Sequence, residues 1–234
     1  MLVGLLSDAH GNPLGLASCL AALTDAGAER MYFLGDAVGY LPGEAAVIGS
    51  LVSAGVICQR GNHEAMLLGA LKLDPGRDEV YGLAAARERM SAGDLATIEA
   101  WPEHREIVLS GRRVLLVHGA PDDHLQGYVY PDADLDHFGK LGYDAVFMGN
   151  THRPFVARRG GVLIANVGSC GLPRDQGDLP ACVIYDAASH RCEVLRVPVP
   201  AASVTAQFGA VHPAVAECLR RTVPEPFGSI VRRP

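Results

Sequence analysis

Residues able to bind a metal ion lie in five short polar clusters, and each cluster directly follows a hydrophobic run. The clusters are residues 7–12, 35–36, 61–64, 118–119 and 149–152. Carboxylate oxygens, amide oxygens and imidazole nitrogens recur in them, whereas cysteine does not. This mixed oxygen and nitrogen donor set suits Mn, Fe, Co, Ni or Zn and argues against a structural zinc site, which usually contains cysteines.

The spacing within the first two clusters suits a shared metal site. Asp8 and His10 are two residues apart, and on an extended backbone such residues point the same way, so both can bind one ion. Asp36 has two carboxylate oxygens and can bridge two cations. Two cations about 3.5–4 Å apart can activate a shared water and stabilise the attacking and leaving oxygens of a phosphoryl transfer.

The remaining clusters add neutral ligands and one further histidine. Asn62 offers an amide oxygen, and His118 and His152 offer imidazole nitrogens. His63 follows Asn62 directly and is not required as a ligand. We therefore predict that His63 donates a proton or a hydrogen bond to the leaving oxygen of a substrate.

The elements that must position these residues alternate in the first half of the chain. Residues 2–6, 30–34 and 56–59 have strand character, and apolar residues recur at helical spacing in 13–26 and 44–54. This alternation predicts parallel strands, whose carboxyl ends meet at one edge of a sheet. Residues 62–101 are predicted to be mostly helical, with a loop at 73–78.

The pattern changes in the second half, where short strand-like runs flank glycine-containing or polar turns. Hairpins are predicted around residues 110–112, 159–161 and 188–190. A parallel first half followed by hairpins favours an α/β protein with two packed mixed sheets and helices outside, rather than a single doubly wound sheet. We expect one domain over residues 1–198 and a C-terminal extension over 199–234, with one helix around 213–221.

Composition narrows the classes of function. Hydrophobic residues make up 49% of the 234 residues, enough for a sizeable core. The net charge of −6, without a basic run, argues against a stable nucleic-acid partner. No run approaches the about 20 apolar residues that span a membrane. The six cysteines are scattered without a CxxC pair, which favours reduced thiols and a cytoplasmic location.

Together the clusters resemble the calcineurin-like metallophosphoesterase superfamily, whose pattern is D-x-H, G-D, G-N-H-[D/E], H and G-H-x-H. The likeness covers residues 1 to about 198. Three further runs are similar to the small bacterial and archaeal phosphatase branch, namely GYLPG at 39–43, NVGS at 166–169 and PRD at 173–175.

The resemblance implies a four-layer α/β/β/α sandwich with a dinuclear metal centre. By motif position, Asp8, His10, Asp36 and His152 would hold the first divalent ion, and Asp36, Asn62 and His118 the second. The ions would be Mn, Fe, Ni or Zn, and His63 would be the catalytic histidine. The expected activity is hydrolysis of small phosphomonoesters or phosphodiesters by a hydroxide that bridges the two metals.

One position departs from the pattern, because Asn150 stands where the superfamily has a histidine ligand to the second metal. Asn150 could still coordinate through its oxygen, in a weaker site biased towards a hard ion such as Mn. Alternatively the second metal is lost. We favour retained binding, since every other ligand is present. Two alternatives stay open: a non-catalytic binding or scaffold protein with a degenerate metal centre, and a one-metal enzyme of narrow specificity.

Residues near the predicted centre are candidates for substrate contacts. Asn12 belongs to the first cluster, Ser169 and the neighbouring glycine amides could cradle a phosphate, and Arg174 could supply positive charge. Tyr40, Tyr128 and Tyr130 could stack on an aromatic leaving group or a base, or could simply pack in the fold.

Overall fold

The computed structural model describes residues 1–231, in which eleven strands form two sheets. The strands are β1 Leu2–Leu6, β2 Arg30–Phe33, β3 Ile57–Cys58, β4 His104–Leu109, β5 Arg112–Val117, β6 Ala145–Met148, β7 Phe155–Arg159, β8 Val162–Asn166, β9 Ala181–Asp186, β10 Arg191–Arg196 and β11 Ser229–Ile230. The helices are α1 Pro13–Asp25, α2 Glu44–Ser53, α3 Asn62–Leu67, α4 Pro75–Tyr81, α5 Leu83–Arg89, α6 Ala92–Glu99, α7 Ala201–Thr205 and α8 Pro213–Arg220. A 3-10 helix spans Asp136–Lys140.

Both sheets are mixed, as the sequence predicts. The first sheet has the order β11-β10-β9-β1-β2-β3, and the second has the order β4-β5-β6-β8-β7. Strands β1, β2 and β3 are parallel to one another, and β5, β6 and β8 form the parallel part of the second sheet. The three predicted hairpins are confirmed as the antiparallel pairs β4–β5, β7–β8 and β9–β10.

The layers follow from which face of each sheet is apolar. Side chains of both sheets, such as Val3, Tyr32, Leu116 and Phe147, pack together between the sheets. Helices α1, α2, α3, α5 and α6 cover the outer face of the first sheet. The 3-10 helix covers the outer face of the second sheet through Phe138. The α/β/β/α order is confirmed, although the second helical layer consists of this short element and its flanking loops.

The loop predicted at residues 73–78 is wrong from Pro75 onward, because α4 begins there. The Asp74 side chain accepts a hydrogen bond from the Arg77 amide at 3.0 Å and so caps the helix. Pro75 occupies the first turn, where its lack of an N–H costs nothing. Gly82 ends the helix with a left-handed φ of 63°. Pro75 therefore marks the start of a helix and not a loop.

The C-terminal residues pack against the rest of the molecule. Strand β11 pairs with β10 at the edge of the first sheet. The predicted helix around 213–221 is confirmed as α8, whose Val215 and Leu219 are buried with Leu172. Residues 232–234 of the predicted extension lie outside the described residues, and the domain boundary at 198 stays a prediction. Within residues 1–231, every helix is too short or too polar to cross a membrane.

Candidate metal centre

The five polar clusters meet in the structure because each follows a strand that ends at the same side of the molecule. Asp8 follows β1, Asp36 follows β2 and His118 follows β5, so both sheets contribute. Nearly all of the predicted metal and catalytic side chains there are buried. Three overlapping groups have ligand atoms within 4.8 Å of one another: Asp8, His10 and His152; His10, Asp36 and His63; Asp8, Asp36 and His118.

Around Asp8, several hydrogen-bond acceptors face one another. His10 Nδ1 lies 3.0 Å from the Val38 carbonyl oxygen, and His152 Nδ1 lies 2.6 Å from the Leu172 carbonyl oxygen. Each Nδ1 must therefore donate, which leaves a lone pair on Nε2 of a neutral ring. These two Nε2 atoms are 3.0 Å apart. Asp8 Oδ1, 3.3 Å from His152 Nε2, has no hydrogen-bond partner.

Around Asp36 the same arrangement recurs. His118 Nδ1 lies 3.1 Å from the Leu34 carbonyl oxygen, so its Nε2 also carries a lone pair in the neutral ring. That Nε2 is 2.9 Å from Asn62 Oδ1 and 3.4 Å from Asp36 Oδ2. Asp36 Oδ2 is in turn 3.6 Å from His10 Nε2. Asp36 therefore lies between the two halves of the centre, as a bridging carboxylate would.

This donor set fits divalent cations. Buried acceptors that face one another are unfavourable without a positive charge between them, and carboxylates with imidazoles are usual ligands of such ions. Burial alone would raise the pKa of Asp8 and Asp36, but the nearby histidines, chiefly His152 and His118 respectively, outweigh it and lower both pKa values. Burial also disfavours protonated His118, but Asp36 raises its pKa to about 9.

The backbone that carries these side chains adopts an uncommon conformation. Left-handed φ angles occur at five non-glycine residues of the centre, namely Asp8 (56°), His10 (46°), Asp36 (62°), Asn150 (64°) and His152 (57°). Such residues cost about 1–3 kcal/mol each and persist only where the surroundings hold them. Bonds between clusters do so here: Asp8 N donates to the Gly35 carbonyl at 2.9 Å, and His10 N donates to the Asp36 carbonyl at 3.0 Å.

Glu64 also shapes the centre, in a role that the sequence motifs do not predict. Its buried carboxylate accepts four backbone N–H bonds at 2.7–3.2 Å, from Asp36, Ala37, Val38 and Gly61. It thereby joins the chain after β2 to the start of α3. The signal was the spacing of a capping box, in which an acidic residue three positions after the N-cap bonds back to it.

His63 packs against two tyrosine rings that also contact each other. It lies beside the acceptor cluster, which consists of the facing ligand atoms of Asp8, His10, Asp36, Asn62, His118 and His152. Its ring centroid is 5.1 Å from that of Tyr40 and 4.5 Å from that of Tyr81. Its backbone N–H donates to Asp36 Oδ1 at 2.9 Å, and its Nε2 lies 3.8 Å from Asp36 Oδ2. Burial lowers the pKa of His63 to about 3, so the ring is neutral at physiological pH. A Cβ on Gly39 would lie 2.5 Å from His63 Nδ1, which explains the glycine there.

Asn150 lies at the centre and makes two hydrogen bonds. Its backbone N–H donates to Asp8 Oδ2 at 3.1 Å, and its side-chain Nδ2 donates to the Gly127 carbonyl at 2.9 Å. Asn150 therefore holds both Asp8 and the loop that follows β5. Its role as a metal ligand stays a prediction.

Two of the three predicted substrate residues make structural hydrogen bonds. The Ser169 hydroxyl donates to the Asp8 carbonyl at 2.6 Å and accepts from the amides of Gly171 and Leu172, so no hydrogen-bonding capacity remains for a phosphate. Asn12 caps α1 through the Gly15 amide and donates to the Gly171 carbonyl. Both buried side chains hold neighbouring loops in place, which sequence could not show because the partners are distant.

Arg174 is half-buried at the edge of the centre. Its backbone N–H donates to the His152 carbonyl at 3.2 Å, and its guanidinium donates to the Tyr40 hydroxyl at 3.0 Å. Burial works to lower the pKa of His152, and the Arg174 charge adds to this, so that the pKa falls to about 4. Arg174 is therefore the one predicted substrate residue that brings charge to the rim of the centre.

Comparison with known proteins agrees with the observed fold. An uncharacterized protein of Methanocaldococcus jannaschii is 26% identical over 217 residues, covering 84% of this chain and 87% of that protein. The crystal structure of a metallophosphoesterase from Sphaerobacter thermophilus has a TM-score of 0.77 at 24% identity. A hypothetical protein from Pyrococcus horikoshii has a TM-score of 0.80 at 17% identity. Each of these two structures covers 94% of this chain and is itself 98% covered; at these identities they show the fold.

The family model for the calcineurin-like phosphoesterase superfamily domain matches residues 1–190. This range contains every residue of the acceptor cluster and both sheets apart from β10 and β11. The chain therefore belongs to the calcineurin-like phosphoesterase superfamily.

Proposed function

We propose that this protein is a metal-dependent phosphoesterase that binds two divalent cations. The observation that carries the proposal is the buried cluster of acceptor atoms around Asp36 Oδ2, which faces Nε2 of His10 and His118 from opposite halves of the centre. Asp8, His10, Asp36 and His152 would hold one cation, and Asp36, Asn62 and His118 the other. Asn150 would complete the second site through its amide oxygen.

The cations would supply positive charge against the phosphoryl oxygens and lower the pKa of a bound water. The protein's own groups have separate tasks. Asp36, whose pKa is held low, keeps its negative charge between the two halves at neutral pH. His63 is outside the closest acceptor contacts and is held by Tyr40 and Tyr81. Its neutral ring carries one N–H, which can donate a hydrogen bond to the leaving oxygen.

A small phosphate ester as the substrate and a cytoplasmic location belong to the same proposal. The six cysteines are all unpaired in the structure, which supports a reducing compartment. The ligands do not distinguish a monoester from a diester, so both substrate classes enter the test. Manganese is the ion that we favour, because amide oxygens are harder donors than imidazole.

The test is hydrolysis of p-nitrophenyl phosphate and bis-p-nitrophenyl phosphate by chelator-treated protein titrated with Mn²⁺, Ni²⁺ and Zn²⁺. We expect turnover that saturates at about two metal ions per chain. Asn150→His, compared in parallel, should tighten the weaker site. Absence of turnover with every ion in the natural protein would refute the proposal.

A second candidate function is a non-catalytic binding or scaffold protein with a degenerate metal centre. The observation that favours it is the hydrogen bond from Asn150 Nδ2 to the Gly127 carbonyl. This bond gives the Asn150 side chain a structural role at a position where the superfamily pattern has a metal-binding imidazole. The same titration separates the candidates. If the natural protein is inactive and Asn150→His is active with more metal bound, the scaffold function replaces the enzyme.

A further inference from the structure

A cavity of about 150 Å³ borders the metal centre and is closed on its far side by α8. Tyr40, Leu172 and Arg174 form the wall towards the centre, and Val215, Cys218 and Arg221 form the opposite wall. A cavity of about this volume can hold a group the size of a benzene ring. Val215 and Cys218 make the far wall largely apolar, and two arginines, Arg174 and Arg221, border the same space. Arg221 Nη2 lies 3.8 Å from Glu217 Oε1, so Arg174 is the arginine without a carboxylate partner among the described residues.

The charge of Arg174 has no carboxylate partner within 4 Å in residues 1–231. Its neighbour Asp175 is bonded to the buried Arg196 by two hydrogen bonds of 2.6 and 3.0 Å. The hydrogen bond that the Arg174 guanidinium makes goes to the Tyr40 hydroxyl, which is neutral at physiological pH. A half-buried guanidinium without a counter-charge is a ready site for an anion.

Three residues that line the cavity, Tyr40, Leu172 and Arg174, also contact histidines of the metal centre. The Leu172 carbonyl accepts the bond from His152 Nδ1, and the Arg174 amide donates to the His152 carbonyl. The Tyr40 ring contacts both His10 and His63, with centroid distances of 4.7 and 5.1 Å. The Tyr40 ring thus borders both the cavity and two histidines of the predicted metal and catalytic site.

Helix α8 is firmly attached to the loop that carries Arg174. The Gly177 amide donates to the Arg221 carbonyl at 2.8 Å, and the Cys218 thiol donates to the Pro173 carbonyl at 3.3 Å. Arg221 Nη1 donates to the Arg174 carbonyl at 3.2 Å. A Cβ on Gly177 would lie 2.3 Å from the Cys218 carbonyl oxygen, so the loop and the helix require close approach.

We propose that this cavity binds the leaving group of the substrate, and that Arg174 with Arg221 binds a second anionic group carried by that leaving group. The substrate is then a phosphate ester that also bears a carboxylate or another phosphate. The C-terminal residues, through α8, complete this subsite. The inference rests on the proposed phosphoesterase function of the adjoining centre.

The first arm compares kcat/KM for 4-carboxyphenyl phosphate with that for its uncharged analogue 4-carbamoylphenyl phosphate, in Mn²⁺. A third substrate, 1,4-phenylene bisphosphate, shows whether phosphate serves better than carboxylate. We expect the natural protein to favour the charged substrates by about tenfold or more, the effect of a charged hydrogen bond. Arg174→Gln and, separately, Arg221→Gln should remove most of that preference. Arg153→Gln, an exposed arginine next to His152 but outside the cavity, should keep it.

The second arm measures binding without chemistry. Calorimetry in Mn²⁺ compares 4-(phosphonomethyl)benzoate with benzylphosphonate. We expect the carboxylated compound to bind about tenfold tighter to the natural protein, and the two compounds to bind almost equally to Arg174→Gln. Turnover without a charge preference, or equal losses for all substrates in Arg174→Gln, overturns the subsite and leaves the phosphoesterase standing. No turnover, with a carboxylate preference in binding that Arg174→Gln removes, overturns the enzyme and supports the subsite. No preference in either arm overturns the subsite in any case.

Discussion

Replacement of Glu64 by glutamine tests whether this buried carboxylate holds the centre together. Oε2 accepts from the amides of Asp36 and Gly61 at 2.8 and 2.7 Å, and Oε1 accepts from those of Ala37 and Val38 at 2.7 and 3.2 Å. A glutamine must place its NH₂ group at one of these two oxygen positions. Two backbone N–H groups then lose their acceptor.

The expected loss of stability follows from that count. A buried donor without an acceptor costs about 1–3 kcal/mol, so two cost about 2–6 kcal/mol of unfolding free energy. Because the Asp36 amide is one of the four donors, we also expect weaker metal binding in Glu64→Gln. The loss of unfolding free energy does not depend on bound metal, so it is measured on the metal-free protein.

The assay is urea unfolding at pH 7 with a chelator present, so that bound metal does not add to stability. Circular dichroism and the fluorescence of the single, buried Trp101 give two probes of the same transition. The control is Glu88→Gln, on the exposed side of α5, which should change stability by less than about 0.5 kcal/mol. A loss below about 1 kcal/mol in Glu64→Gln would refute the reasoning.

Three further predictions concern activity, stability and pH. His63→Ala should lower turnover about 10²–10⁴-fold with unchanged metal content by elemental analysis, and parallel losses of metal and activity would contradict its catalytic role. Arg196→Met leaves the carboxylate of Asp175 without its partner and should cost about 3–5 kcal/mol in urea unfolding, with partial recovery when Asp175→Asn is added; an effect below about 1 kcal/mol would count against this pair. With a chelator present, the free energy of unfolding should be highest at about pH 6.5, the ordinary pKa of histidine. His118, whose pKa is raised to about 9, contributes stability that is fully present below about pH 6.5 and is lost as the pH rises through 9. His152, whose pKa is lowered to about 4, makes the folded protein less stable as the pH falls from about 6.5 towards 4. Thermal unfolding from pH 4 to 10 checks this, and a steady rise in stability up to pH 9 would be the contrary result.

Much of the fold could be predicted because its local signals agree with its final packing. The helix α1 begins at Pro13, the first residue of the run that helical spacing predicts, and the Asn12 side chain caps it. The turn between β4 and β5 places Ser110 and Gly111 at φ angles of 50° and 80°, which a serine–glycine pair tolerates. The start of α4 carries the same kind of local signal in Asp74 and Pro75, a capping residue followed by a proline in the first turn.

The functions of single polar side chains were harder to predict, because they depend on partners that are distant along the chain. Ser169 was expected to cradle a phosphate, yet its hydroxyl is bonded to the Asp8 carbonyl, 161 residues away. Glu64 has a local cap as one of its partners, but three of its four donors lie 26–28 residues earlier. Hydrogen-bonding capacity is used up by such contacts, and residue type alone does not show which contacts form.

The sequence by itself determined the superfamily, the two-sheet architecture and the identity of the residues that meet at the centre. It could do so because strand periodicity and polar residues at strand ends are local properties, and parallel strands bring their ends together. Only the tertiary structure decided which imidazole nitrogens face inward, since backbone carbonyls from other segments hold the opposite nitrogens. It also decided that α8 completes a cavity beside Arg174, because the bond from Cys218 to Pro173 joins segments 45 residues apart through packing that no local pattern encodes.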